Sequence, residues 1–176
     1  MGVLPMLEYD GMVLCQSFTI ARFLAKKAGL AGESPEEEAK CDMIVDLVLD
    51  YYNALRKDHF AGDDEEIKKA VALKVFSEDV PKFLDIAEKL LGDAGGNFFV
   101  GDKLTWADIA IYNAFESLIS PTNPSFVKRM PWFDHELRVN LLESRPLLLA
   151  LLARVSEHER LAKWLAIRPS DGDEPF

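Results

Sequence analysis

The chain has 176 residues, 30 acidic and 20 basic, for a formal charge of −10; 49% are apolar and 10% aromatic. That composition fills one domain or two small ones with a real core and excludes a disordered chain, and the length is past the size at which disulfides or metals are needed as staples. A chain this acidic is repelled by nucleic-acid phosphates and anionic bilayers, so neither nucleic acid nor membrane is expected as a partner.

The first element reads as a β-hairpin. Val3, Leu4, Met6 and Leu7 form one short apolar run and Met12, Val13 and Leu14 another, with the turn dipeptide Asp10-Gly11 between them. Pro5 inside the first run is either an edge-strand proline or one whose peptide bond is cis. Ser17 then opens a helix that its hydroxyl is expected to cap. Ile20, Phe23, Leu24 and Ala28 follow at helical spacing, and Gly29 ends it. Ser34-Pro35-Glu36-Glu37 is a capping box with proline at the first helical position, opening a helix expected to reach Asp58.

His59 to Glu66 reads as a loop and 65–91 as a helix that Pro81 should kink or split. Gly92 to Asn97 is a glycine-rich turn, followed by a short extended run to Asp102. Thr105-Trp106-Ala107-Asp108 is a second capping box, with Leu104 and Ile109 placed as a hydrophobic staple. The helix it opens, to Ile119, is apolar around most of its surface and should be the buried central one. Two prolines in 120–125 break it. Helical patterns follow over Phe133 to Glu143, Leu147 to Val155 and His158 to Ala166, before a polar tail.

Residues 33–66 hold twelve acids and three bases, so nearly all the net charge lies on one helix and its flanks. Cys15 and Cys41 lack metal or redox spacing and read as free thiols in a reducing compartment. The start of the chain has no signal-peptide pattern. The longest apolar run, Leu147 to Ala153, has seven residues, where a membrane span needs about 20. A cytoplasmic protein is expected. His59, His135 and His158 are scattered without ligand spacing, and there is no phosphate loop, zinc helix or serine elbow, so no metal site is expected.

An ordered string of motifs points further: LPML at 4–7, DG at 10–11, QS at 16–17 with the helix FTIARFLAKKAGLAG, the acid-rich helix from Cys41 to Asp50, and GDKLTWADIAIY at 101–112. Together these resemble the cytosolic glutathione transferases, most closely the sigma class, which includes the haematopoietic prostaglandin D synthases and the S-crystallins. The resemblance runs from Val3 to Arg168. It implies a mostly α protein. A partial thioredoxin-like segment, hairpin plus helix, occupies 1–31; the all-α helical domain occupies 32–168; a tail occupies 169–176.

The resemblance assigns roles. Gln16 and Ser17 would hold the γ-glutamyl end of glutathione at a helix start that favours anions; the plain alternative is that Ser17 only caps. Leu4, before a cis Pro5, would pair its backbone with the cysteinyl amide. Asp42, Asp46 and Asp50 line one helix face. That face is either solvated, or Asp50 reaches the partner subunit's glutathione in a homodimer, or opposed acidic stripes hold a divalent cation. Tyr51, Tyr52 and Phe60 would face a pocket for small hydrophobic electrophiles, or else be core. Thr105 and Asp108 form the folding cap.

Two departures qualify the activity. The family carries a further strand, helix, strand and helix ahead of the hairpin (about fifty residues), including the tyrosine that stabilises the glutathione thiolate, the nucleophile. None of Tyr9, Tyr51, Tyr52 and Tyr112 matches it, so this chain is expected to hold no catalytic residue and to be weak or inactive. An apolar edge on the hairpin is a further expected consequence. The second departure is a duplicated junction, Met130-Pro131 and Arg145-Pro146, which marks 132–146 as either an added helix or an artefact. The rival readings are a crystallin-like structural protein and a helical interaction module.

Overall fold

Asp10 and Gly11 both take positive φ, 48° and 77°, the conformation that closes a two-residue hairpin loop with the right twist. The strands they join, β1 (Met6–Tyr9) and β2 (Met12–Cys15), pair antiparallel with Met6 opposite Cys15 and Tyr9 opposite Met12. The structure, a computed structural model, describes residues 4–57, 64–119 and 141–168. Within them the hairpin is a two-stranded sheet, preceded by a cis peptide between Leu4 and Pro5.

Helix α1 (Ser17–Lys27) packs on the hairpin. Tyr9 meets the Phe23 ring edge-on at 5.2 Å, and Lys27 lies over both rings. The expected hydroxyl cap is absent. Ser17 already has helical backbone, and the cap position falls to Gln16, at φ 75° and ψ 114°, with no side-chain cap bond. The first helical bond runs instead from the Ile20 N–H to the Gln16 carbonyl at 2.9 Å. The helix closes where expected: the N–H groups of Gly29 and Leu30 return to the carbonyls of Lys26 and Ala25, the paired bonds of a left-handed cap.

Helix α2 (Pro35–Leu55) opens on Ser34, whose Oγ accepts from the Glu37 N–H at 3.3 Å. The returning half of the box is displaced by one residue: Glu37 accepts from the Glu33 N–H at 2.7 Å rather than from Ser34. Gly32, at φ 103°, makes this possible, because a Cβ there would stand 2.7 Å from the Glu37 Cβ. The helix ends at Leu55, three residues short of the expected Asp58.

Helical turns run without a gap from Glu65 to Asp93, and the division comes just ahead of Pro81. Helix α3 (Glu65–Lys74), capped by the Asp64 carboxylate, runs into a π-helical turn (Val75–Asp79) and then α4 (Val80–Asp93). The wide turn lets the Val80 N–H reach the Val75 carbonyl and sets Pro81 in the first turn of α4, where its missing donor costs nothing. The stretch after the glycine turn is a series of bends, not a strand. It is held from the side: the Phe99 N–H donates to Asp108 Oδ1 at 2.9 Å.

Helix α5 (Trp106–Ile119) is the central one, in contact with α1, α2 and α6 (Pro146–Glu157). Ala107, Ile111, Ala114 and Phe115 are buried. Its Asp108 is fully buried, and Oδ2 accepts from both the N–H (2.7 Å) and the hydroxyl (2.8 Å) of Thr105. Burial raises the carboxyl pKa while these bonds oppose the rise. Helix α7 (Glu159–Ile167) follows α6.

The α4–α6 contact is a polar clamp. Arg145, almost wholly buried, donates to Asp85 Oδ1, to the Pro81 carbonyl at 3.2 Å, and to the Leu141 carbonyl. Glu88 accepts from the Leu147 and Leu148 N–H groups at the start of α6. Residues 141–143 are helical, and Leu141 and Leu142 join the core. The protein is therefore mostly α, a thioredoxin-like hairpin-plus-helix followed by an all-helical domain. Within the described residues no helix is long and apolar enough to cross a membrane.

Candidate functional site

Two clefts adjoin at the start of α1, sharing Ser17, Phe18 and Arg56. The polar one encloses about 590 Å³ and is lined by Leu4, Pro5, Gln16, Ser17, Thr19, Arg22, Asp46 and Leu49 besides the shared Phe18 and Arg56. It brings together four of the five residues that the sequence nominated for the peptide ligand. The hairpin supplies Leu4 and Pro5, the start of α1 supplies Gln16 and Ser17, and α2 closes the side.

The backbone of Gln16 is the unusual feature. A non-glycine residue at φ 75° costs of order 1–3 kcal/mol and persists only where surrounding structure enforces it. Here it turns the chain from β2 into α1 within one residue and leaves the Gln16 and Ser17 side chains exposed at the helix N-terminus. The first turn of a helix has N–H groups without intrahelical partners and a partial positive charge, so it favours a carboxylate. Arg22 adds a guanidinium on the same side, anchored by its Nε to Asp42 Oδ1 at 2.8 Å.

The acidic stripe divides by position. Asp42 is committed to Arg22, Asp46 lines the polar cleft, and Asp50 is exposed and lines neither cleft. Among the described residues no three carboxylate, histidine or cysteine side chains converge as a metal site would require.

The apolar cleft, about 560 Å³, is walled by three helix faces. Helix α1 gives Phe18, Ala21, Leu24, Ala25 and Ala28; α2 gives Val48, Tyr52 and Arg56; α5 gives Trp106, Ile109, Ala110 and Asn113. Each set follows helical spacing. Tyr52 and Tyr51, neighbours in sequence, have different surroundings. Tyr52 lines this cleft, and its hydroxyl accepts from Asn113 Nδ2 at 3.0 Å. Tyr51 lines neither cleft; it is core, between Phe115 (5.1 Å) and Phe83 (6.0 Å), with its hydroxyl buried and unpartnered among the described residues. Burial pushes both phenols above their ordinary pKa, Tyr51 the further. Phe60, the third nominee, lies outside the described residues, as do His59 and His135.

None of the four tyrosines lines the polar cleft. Tyr9 stacks on Phe23, and the Tyr112 hydroxyl contacts Glu116 at 3.4 Å. Cys41 is buried in the core, its thiol pKa raised by burial, and Cys15 is half-buried; both are free. The ionisable groups in the cleft wall are Arg22, Asp46 and Arg56. They can bind and orient a zwitterionic peptide.

In the polar cleft the sequence reasoning missed Phe18, Thr19, Arg22, Leu49 and Arg56. For Arg56 a signal existed: Val48, Tyr52 and Arg56 repeat every four residues, so a face carrying one cleft residue carries all three. Arg22 needed the tertiary contact with Asp42, which no local spacing encodes.

Residues 49–168 match the family described as "Glutathione S-transferase, C-terminal domain". Glutathione S-transferase 1 of Ascaris suum is 36% identical over 173 residues, 96% of this chain and 75% of that protein. The haematopoietic prostaglandin D synthase of Gallus gallus is 32% identical over 168 residues, 96% and 74% respectively. In three dimensions, prostaglandin synthase D of Nilaparvata lugens superposes with a TM-score of 0.75 at 28% identity, over 96% of this chain and 75% of that one.

Proposed function

The chain belongs to the glutathione S-transferase family, and we propose that its polar cleft binds glutathione. In this reading Gln16, Ser17 and the first N–H groups of α1 hold the γ-glutamyl carboxylate. The Leu4 backbone, in the cleft wall beside Pro5, pairs with the cysteinyl amide. The observation that carries the reading is the polar cleft itself, where a strained Gln16, an open helix start and the Leu4–Pro5 backbone share one wall. The apolar cleft beside it, with Tyr52, supports a small hydrophobic electrophile as second substrate. The sigma class is the class proposed, from the order of motifs shared with the prostaglandin D synthases.

Thiol activation is proposed to depend on a group outside these 176 residues, because no tyrosine hydroxyl lines the polar cleft. The chain alone is then a weak or inactive transferase, with no catalytic residue of its own. Loss of a group that stabilises a nucleophile costs about 10²–10⁴-fold in rate. In this reading the thioredoxin-like segment ends at residue 31 and the helical domain runs over 32–168. Asp50 is assigned to the glutathione of a partner subunit in a homodimer, and the protein to the cytoplasm. The core positions of Leu141 and Leu142 and the Arg145 clamp support the described end of this segment, from Leu141 on, as a packed part of the fold.

Calorimetric titration of the 176-residue chain with glutathione tests the binding half. Saturable binding in the micromolar to low millimolar range, lost in Gln16→Ala, is expected; no binding by the folded chain defeats it. Conjugation of glutathione to an aryl halide tests the other half: a rate near the uncatalysed one is expected, and ordinary transferase turnover overturns it.

A further inference from the structure

Helix α2 carries Asp42, Asp46 and Asp50 along one face at four-residue spacing, and the fold uses the three differently. Asp42 is taken by the Arg22 guanidinium. Asp50 lines neither cleft. Asp46 shares the wall of the polar cleft with Leu4, Gln16 and Ser17, and among the described residues it is the one carboxylate there. It is exposed and makes no ion pair among the described residues. An acid left unpaired in a cleft that also holds an open helix start gives the cleft two ends of opposite sign.

A γ-glutamyl group carries a carboxylate and an ammonium on the same carbon. With the carboxylate at the start of α1, the ammonium has to be met in the same cleft, because a cation that loses water without gaining a partner opposes binding. The N–H groups of the helix start repel it. The oxygens of Gln16, Ser17 and Thr19 are neutral acceptors; Asp46 is a charged one. We infer that Asp46 takes the γ-glutamyl ammonium of glutathione bound to the same chain, and so selects for peptides whose γ-glutamyl amino group is free. A hydrogen bond between two charged groups is about twice as strong as one between neutral groups. An ammonium has three donors, so this contact leaves room for the Asp50 proposed to come from a partner subunit. The inference rests on the reading of the polar cleft as a glutathione site and adds the residue that recognises one end of the peptide.

The test compares, by calorimetry on the 176-residue chain, glutathione with glutaryl-cysteinylglycine, the same tripeptide without its amino group. Glutathione should bind at least about tenfold tighter. Asp46→Asn should weaken glutathione by about the same factor and leave glutaryl-cysteinylglycine unchanged or slightly tighter, so that the preference disappears. The direction is diagnostic. Glutathione is a net anion near neutral pH and the chain carries −10, so removing an acid weakens their general repulsion; a loss of affinity therefore reports a local contact. Asp46→Glu, which keeps the charge, should keep part of the preference. Asp46 is exposed and asparagine has its shape, so the fold is expected to survive, with circular dichroism showing that the helices remain. Three results overturn the inference and leave the polar cleft as a glutathione site: glutathione binding with no preference for the amino group, a preference that survives Asp46→Asn, and an equal loss of both peptides in that variant. A folded chain that binds neither peptide overturns this inference and the reading of the polar cleft together.

Discussion

The hairpin and α4 are both rich in apolar residues, yet they bury them differently. No residue of β1 or β2 is fully buried, and Met6 and Val13 stay half exposed, whereas Val80, Leu84, Ala87 and Leu91 of α4 are sealed from solvent. Packing geometry accounts for the difference. Helix α4 turns one stripe toward α2 and α6, which close over it from two sides. A two-stranded sheet has two faces and two edges. Here α1 covers one face, the one carrying Tyr9, while Met6 and Val13 point from the other. Two strands alone are marginally stable in water. The hairpin therefore takes its stability from α1 and the turn, and the helical body from its own interior.

That contrast can be tested in order of expected effect. Phe115→Ala should be the most damaging: the ring is buried against Tyr51, and its loss should cost about 4 kcal/mol, read from denaturant unfolding. Asp108→Ala should follow at about 3 kcal/mol, because it strands the buried Phe99 and Thr105 N–H groups. An effect under 1 kcal/mol would mean that these groups find other partners and that the central helix does not depend on its cap.

The third prediction concerns alkaline pH. Burial raises the Cys41 thiol above its ordinary 9.0 and the Tyr51 hydroxyl above 10.0, so the fold keeps both protonated. The unfolded chain ionises them, so it binds fewer protons, and stability falls as pH rises through those values; well below them neither contributes a slope. The fall approaches about 1.4 kcal/mol per pH unit for the fully buried Tyr51, and the Cys41 thiol adds to it in the same direction. Tyr51→Phe should remove the phenol's part above pH 10 without loss at pH 7, since that hydroxyl has no partner to lose among the described residues. An unchanged alkaline slope would show that the phenol reaches water in the fold.

The smallest effect should come from the hairpin. Val13→Ala should change stability by no more than about 0.5 kcal/mol. Hydrogen exchange sharpens the same point: amides of β1 and β2 should exchange well before those of α5, through local opening. Equal protection in the two regions would mean that hairpin and helices open as one unit, and the contrast would be wrong.

Local signals in the sequence predicted most of the elements. Asp10-Gly11, Ser34-Pro35 and Thr105 to Asp108 mark boundaries through bonds that close within a few residues, and α5 occupies the span its pattern predicts. Two local expectations missed by small shifts with nonlocal causes. The cap of α1 moved from the Ser17 hydroxyl to the backbone of Gln16, because the chain must turn there from β2. The run after Gly96 is bent rather than extended, because Asp108 draws the Phe99 N–H inward.

The candidate site was legible in part for the same reason. Gln16, Ser17, Leu4 and Pro5 could be named from the order of motifs, and the polar cleft gathers all four. Arg22 and Arg56 enter because helices distant in sequence meet beside them. Tyr51 and Tyr52 show the limit most plainly: one helical step apart, one faces the core and the other a cleft, and only the packing of α1, α4 and α5 around α2 decides which. Local signals in the chain marked most helix and turn boundaries, since caps, prolines and glycines act within a turn of chain; the α1 cap and the end of α2 were set elsewhere. The tertiary structure alone decided which faces meet, because burial and cleft shape depend on contacts between residues as far apart as Arg145 and Asp85.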